Sequence, residues 1–396
     1  MRREGPAIVA ALARRFGDLE LAEDCVQDAA EEALQHWTQH GEPANSAGWL
    51  VTTARRKVLD RLRRQRVGEQ KLALLAATAD EVETEPDDDR LALVFACCRP
   101  ALPRDQQVAL TLRSVCRLTT GEIAAAFLTS EPAMAQRLVR AKRTLRAAKV
   151  RFRVPDPDEL EERLPEVLAV IYLVFNEGWL ASSARVPERE DLVRESVALA
   201  DLLCRLMPRE PEVLALRALI AFHQSRAATR FAPWGRLVLL AEQDRSRWDR
   251  AAIAYATSLL DRALAMGRPG QYQVQAAIAA LHAEAPSSEE TDWRQIRLLY
   301  SRLDQLSPSP VVRLNRAVAT RHVLGPEAAL EEVDREAGAL ARYRLLHSTR
   351  AALLRDLRRH DEARAADERA YELAVNPAER DLLSRRLTGH PDRPLT

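Results

Sequence analysis

The residues whose types and spacing could do chemistry gather in one stretch, Ser130 to Arg153, which reads SEPAMAQRLVRAKRTLRAAKVRFR. From Ala133 onward it carries Arg137, Arg140, Lys142, Arg143, Arg146, Lys149, Arg151 and Arg153 and no acid. Fixed cations at this density bind a polyanion: guanidinium and ammonium groups neutralise phosphates, and Arg and Gln also reach base edges. Covalent chemistry finds no comparable support. No Walker A, GxGxxG, GxSxG or HExxH pattern occurs, so the chain is read as a non-enzyme with no cofactor, no metal and no catalytic residue. His36 and His40 stand at i, i+4 near a helix end, but no acidic or sulfur third ligand accompanies them. Cys97 and Cys98 point in two directions along a helix, which suits a core. The acid pair Asp87–Asp88 lies in an expected linker without a pocket.

The elements that must position these cations are helices. Between Ser130 and Arg153, Met134, Leu138, Ala141, Leu145 and Ala148 form one apolar stripe at helical spacing, with Gln136, Arg137, Arg140 and Arg143 opposite. Ser130 suits the N-cap and Pro132 the first turn. Upstream, Arg104 to Cys116 places Val108, Leu112 and Val115 on one face, and Thr119-x-x-Glu122 forms a capping box that opens a short helix with Ile123, Ala124 and Phe127 inward. Two short helices, a tight turn at Leu128–Ser130 and a basic second helix make a helix-turn-helix. The same pattern fits a helical hairpin with a solvated basic face.

A chain of 396 residues accommodates two to four domains with real cores. Its Ala, Leu, Arg and Glu content and its scarcity of strand-like runs predict an all-α protein. Net charge is only +1, so local charge segregation matters more than the sum. Five cysteines, Cys25, Cys97, Cys98, Cys116 and Cys204, form no CxxC pair and read as reduced, buried side chains of a cytoplasmic protein. Met1 to Phe16 lacks the apolar core of a signal peptide, and no run reaches membrane-span length, so no membrane partner is expected.

Charge alternates along the chain. Residues 1–43 read as two helices carrying Ile8, Leu12, Phe16, Leu19, Ala22, Val26, Ala29, Ala30, Ala33 and Leu34 on the apolar side. Their polar side is acidic, with Glu20, Glu23, Asp24, Asp28, Glu31 and Glu32. That acidic side is a solvated face or a docking face for a basic partner. After the turn at Gly41–Ser46 a basic helix begins near Ala47, with Trp49, Leu50, Val51, Ala54, Val58 and Leu62 on one side and Arg56, Asp60, Arg63 and Arg64 on the other. Residues 69–89 read as an acidic linker with a short helix at Lys71–Ala77. Arg90–Cys98 is an apolar helix, and Val154–Asp158 a proline-stiffened boundary. The remainder is helical: Val167–Phe175 should be buried, with Gly178 as its left-handed cap, followed by Leu192–Leu206, Val213–Gln224, Trp248–Ala265, Gln271–His282, Trp293–Leu306 and Pro310–His322. Ala351, Leu354, Ala363 and Ala370 fit a tetratricopeptide repeat, with Asp367 standing where an aromatic is usual.

Four motifs in order resemble the extracytoplasmic-function (ECF) class of bacterial sigma-70 factors. Leu21–Ala29 resembles region 2.2 of that family, Gly48–Arg56 and Asp60–Arg64 regions 2.3 and 2.4, and Ala135–Arg143 region 4.2. Arg163–Val167 with Tyr172–Trp179 resembles the subgroup that carries a long C-terminal, tetratricopeptide-like helical extension. The resemblance implies sigma region 2 at 1–68 (core polymerase and −10 binding), an acidic linker at 69–89, region 4 at 90–153 (−35 binding), and a C-terminal helical regulatory domain at 154–396. It implies that Asp24, Gln27, Asp28 and Glu31 dock on the β′ clamp helices of RNA polymerase core, with region 4 at the β flap. It places Trp49, Arg55, Arg56, Lys57 and Arg63 at the −10 element. It places Gln136, Arg137, Arg140, Lys142 and Arg143 at the −35 element of promoter DNA. Trp49 has two readings, a base-stacking platform or a core side chain. Ala133 and Ala135 stand where relatives carry Thr and Lys, which implies one cap and one phosphate contact fewer. The implied function is a transcription initiation factor whose C-terminal domain controls it, with a regulatory protein or peptide as that domain's partner. A stand-alone helix-turn-helix regulator and a helical-repeat adaptor that binds protein are the alternatives.

Overall fold

The computed structural model describes residues 5–64, 86–116, 118–127, 129–148, 150, 152–153, 155, 157–181, 187–232 and 235–388. Among these lie eighteen α-helices and one ribbon of two short strands, so the all-α expectation holds. The chain divides into two compact units, 1–176 and 177–396. The division falls inside a helix, well past the proline-rich segment expected to form the boundary, because Pro157 starts that helix rather than breaking the chain. The expected linker helix at Lys71–Ala77 lies outside the described residues.

The first unit begins with α1 (Gly5–Phe16), α2 (Leu19–His40) and α3 (Ser46–Arg64). Asp18 caps α2 by accepting from Leu21 N at 3.1 Å, and Gly41 ends it at φ 80° with its N–H on the Trp37 carbonyl. A left-handed residue here favours glycine. Ile8, Leu12, Val26, Leu50 and Val58 are buried between the three helices. Two expected core positions are outside: Leu34 is 61% exposed and Val51 41%, while Thr53 and Ala54 turn inward. Leu34 lies near the end of α2 and Val51 on the open side of α3, where neither has a helix facing it.

Four more helices follow: α4 (Pro86–Cys97), α5 (Arg104–Ser114), α6 (Thr120–Ala126) and α7 (Glu131–Ala147). Leu93, Phe95, Leu110, Leu112, Ile123, Met134 and Leu138 fill their core. The Gln107 amide donates to the carbonyls of Arg99 and Leu102, both at 2.9 Å, and so closes the loop between Pro100 and Pro103. Helix α7 ends at Ala147, earlier than the apolar stripe suggested, and Ala148 is exposed. Helix α8 (Pro157–Trp179) buries Val167, Leu168, Val170, Ile171 and Phe175. Gly178 is not a left-handed cap. It sits inside the last turn of α8, where an added Cβ would lie 2.7 Å from the Val193 nitrogen and 3.0 Å from the Arg189 carbonyl. Close backbone approach, not backbone sign, requires glycine there.

The second unit contains α9 (Glu190–Leu206), α10 (Pro211–Ser225), the ribbon β1 (Phe231–Ala232) with β2 (Arg236–Leu237), α11 (Arg250–Ala265), α12 (Gln271–Glu284) and α13 (Trp293–Leu306). Helices α14 (Pro310–Leu324), α15 (Pro326–Arg335), α16 (Arg344–Asp356), α17 (His360–Leu373) and α18 (Pro377–Thr388) complete it. From α13 onward each helix packs on the next, as in a helical-repeat array. Helix α15 was not expected. Its Gly325–Pro326 start reads as a loop but places Pro326 in the first turn. Asp367, the departure from the repeat pattern, is buried and ion-paired to Arg355, so a charge pair occupies the aromatic's place. The Asn376 amide donates to the carbonyls of Ala181 and Pro187, which ties the last helix to the first loop of the unit.

A row of aromatic and histidine rings runs through this unit. His282 lies 5.2 Å from Trp293, which stacks on His322 at 3.9 Å. Burial, aided by Arg245, Arg226 and His322, pulls the His282 pKa down to about 4. The unfolded chain then binds a proton that the folded chain refuses between about pH 6.5 and 4. Stability from this group is therefore complete above pH 6.5 and is lost as pH falls toward 4. A thermal melt of wild type should show that acid slope, and His282→Gln should make it shallower, with His223 and His322, whose pKa values burial also lowers, supplying the remainder.

Candidate polymerase and nucleic-acid interfaces

The acidic α2 and the basic α3 face each other. Arg61 reaches Asp24 at 3.1 Å and Asp28 at 2.8 Å. Glu32 accepts from Lys57 at 2.6 Å and Arg56 at 3.0 Å, and the Lys57 hydrogen bond holds its carboxyl below the usual carboxylate range. Asp24, Asp28, Arg56 and Lys57 are thus all engaged inside the unit. Gln27 and Glu31 are exposed and joined at 3.2 Å. Arg63 is exposed and reaches Asp60 at 3.4 Å, and Arg55 is half-buried. Exposed pairs of this kind are worth about 0–1 kcal/mol each, so a phosphate or a charged partner surface can replace either member.

Trp49 is half-buried and lies 5.7 Å from both Trp37, edge-on, and His36. His36 and His40 stack at 4.5 Å, with His40 Nδ1 3.1 Å from the His36 carbonyl. Trp49 therefore belongs to an aromatic group at the end of α2, neither sealed in the core nor standing free.

The helix-turn-helix is built as its capping signals require. Thr119 N donates to Glu122 Oε2 at 2.7 Å and Glu122 N to Thr119 Oγ1 at 3.2 Å. Arg113 donates to the Leu118 carbonyl at 3.0 Å, which secures the approach to α6. On α7, Gln136, Arg140 and Arg143 are exposed on the face opposite Met134, Leu138, Ala141 and Leu145. Arg137 differs: it pairs with Asp105 at 3.1 Å and lies over the Phe127 ring at 5.7 Å, so it also braces α7 against the preceding helices.

The remaining cation, Lys142, faces inward. Its Nζ lies 2.5 Å from Glu23 Oε2, and both side chains are less than a fifth exposed. Glu23 Oε1 also accepts from the Ser114 hydroxyl at 2.5 Å. Arg146 reaches Asp18 at 2.6 Å. One carboxylate of α2 thereby joins α5 and α7, so the acidic helix and the basic helix-turn-helix share a single compact unit. Spacing along the chain could not have shown Glu23, Ser114, Asp105 or Asp18 in these roles, since the pairs span large separations. The one available hint was charge: the acidic and basic faces have opposite sign. Removing the shared acceptor should be costly. Glu23→Ala is expected to destabilise the first unit by about 1–3 kcal/mol in urea unfolding. A double-mutant cycle with Lys142→Met should return a coupling of at least about 0.5 kcal/mol.

Three of the cysteines are shielded from thiolate chemistry by burial. Burial pushes the thiols of Cys25 and Cys204 up to about 11 and that of Cys98 up to about 12, so all three stay protonated at neutral pH. No described helix is long and apolar enough to cross a membrane.

Comparison with known proteins agrees with this architecture. Residues 1–67 match Sigma-70 region 2, and residues 94–145 match Sigma-70 region 4. Residues 163–264 match a family of unknown function, DUF6596. An uncharacterized protein of Rhizobium meliloti (strain 1021) is 45% identical over 387 residues, covering 94% of this chain and 91% of that protein. No solved structure matches the chain at a significant level. With the two sigma regions in order and a separate helical unit behind them, the chain belongs to the sigma-70 family as an ECF-like sigma factor with a C-terminal extension.

Proposed function

We propose that this sigma factor divides its work as follows. Region 2 occupies residues 1–68 and region 4 residues 90–153, joined through the acidic segment 69–89. The middle of the acidic α2, with Gln27 and Glu31 paired to no cation among the described residues and Asp24 and Asp28 exchanging Arg61 for a new partner, docks on the β′ clamp helices of polymerase core. Region 4 meets the β flap. Arg55, Arg56, Lys57 and Arg63 hold phosphates at the −10 element, with Trp49 beside the melted strand. Gln136, Arg137 and Arg140 enter the −35 major groove, with Arg143 and, once released from Glu23, Lys142 on phosphates. Nucleotidyl transfer belongs to the polymerase. The helical unit behind region 4 controls activity.

The observation that supports this most is the exposed edge of α7, where Gln136, Arg140 and Arg143 stand on the face opposite a sealed apolar stripe. Run-off transcription tests it, using polymerase core with the full chain or with a chain ending at Trp179. That end point keeps α8, whose Arg163 guanidinium lies 5.4 Å from the Phe95 ring in the first unit. Promoter-specific transcripts from core plus full chain, absent with core alone, support the reading. Loss of output on truncation makes the extension a required part, and a gain makes it a mask. DNA protection without polymerase, and no transcript, would replace it with a stand-alone regulator.

A further inference from the structure

The second unit holds a half-open cavity of about 250 Å³ between α14, α16 and α18, lined at one side by Leu237 and Leu239. Its walls are mostly apolar: Val318, Leu353, Leu382 and Leu383 contribute, and Leu353 and Leu383 are themselves buried. Three arginines, Arg321, Arg344 and Arg386, line this apolar space with a single acid, Glu379.

Two of the three cations are spoken for. Glu379 is buried and ion-paired to Arg344. Arg321 holds Asp356 with two hydrogen bonds, at 2.5 and 2.9 Å. Arg386 has no hydrogen-bonded or ion-paired partner among the described residues, and burial pulls its pKa down. The charges that act on it at longer range are Arg355 and Arg385 on one side and Asp367 and Glu242 on the other, two of each sign. Asp367 is already ion-paired to Arg355, and Glu242 accepts from the Leu239 nitrogen. Ser348 and Thr349 also line the cavity.

A half-buried cation beside apolar walls gains from an anion, and an apolar hollow of this size gains from an apolar group that fills it. One ligand chemistry meets both needs. We propose that this cavity binds a small amphipathic anion, its carboxylate or phosphate on Arg386 with the Ser348 and Thr349 hydroxyls alongside, and its aliphatic part against Val318, Leu353 and Leu383. Binding follows from the cavity alone. Only an effect on transcription rests on the regulatory role proposed above for this unit.

The test is calorimetric titration of the purified full chain with decanoate, decyl phosphate, acetate and decyltrimethylammonium. Saturable binding of decanoate or decyl phosphate, one per chain, is expected, and their relative affinity identifies the headgroup. Acetate, lacking the chain, and the decyl cation, with the wrong charge, should bind at least about tenfold more weakly. Arg386→Met should weaken the anion at least about tenfold while leaving the ligand-free melting temperature unchanged or higher. Ala352→Leu should block binding by filling the hollow without touching any charge. Equal binding of the cation, no saturable binding of either decyl anion at millimolar concentration, or undiminished binding in both variants would overturn the proposal. Because no polymerase enters the titration, its outcome is independent of the regulatory reading.

Discussion

A chain carrying Arg140→Glu with Arg143→Glu should support about a hundredfold less promoter-specific transcription than wild type, with its fold intact. Both side chains are exposed on α7, and neither has a carboxylate partner among the described residues. Surface changes of this kind alter stability by only about 0.5 kcal/mol. A reversal at the DNA face removes an attraction and adds a repulsion, and each lost contact costs about 1–3 kcal/mol. Run-off transcription over a range of salt, with a urea melt alongside, checks both halves. Unchanged transcription would sink the −35 role of α7 and favour the helical-repeat adaptor. Arg137→Glu is a poorer test of DNA contact. That side chain also pairs with Asp105 and lies over Phe127, so its loss should lower stability as well as output.

The second large effect concerns the core. Phe95→Ala should cost the first unit about 3–5 kcal/mol, a large fraction of the stability of an ordinary domain. Phe95 is fully buried, and Arg163 lies over its ring. That arginine has two guanidinium nitrogens buried without a hydrogen-bond partner, and burial pulls its pKa down to about 10. The ring face is thus its principal support. Truncating the ring opens a cavity and strips that support together. Urea unfolding followed by fluorescence and circular dichroism should show an early transition in Phe95→Ala and a much smaller shift in Phe95→Leu. An Ala variant as stable as wild type would show that α4 is not a core element.

Local chemistry was legible in the sequence. The capping box at Thr119 and Glu122, the Ser130 cap and the inward stripe from Met134 to Leu145 depend on residues within one or two turns, and each formed as expected. What depended on distant chain was not legible. Leu34 and Val51 keep helical spacing with buried neighbours, yet nothing packs over them. Gly178 carries the signature of a helix cap, but its reason is the approach of Val193, which no local pattern announces. The candidate contacts divide the same way. The exposed face of α7 follows from periodicity. That Lys142 turns to Glu23 follows from how two helices far apart in sequence meet.

That last pairing bears on how the free protein meets the genome. Lys142, Arg146, Arg61, Arg56, Lys57 and Arg137 each already hold one of the chain's own carboxylates. A lysine so occupied releases no condensed counterion from DNA until its carboxylate lets go, so the entropy that drives indiscriminate binding is not collected. Random duplex must displace these acids first, so its salt dependence should be shallower than the count of cations suggests. The electrostatic grip is fuller where another surface takes up the displaced acids. An initiation factor built this way carries part of its basic charge neutralised by its own acids until a partner displaces them.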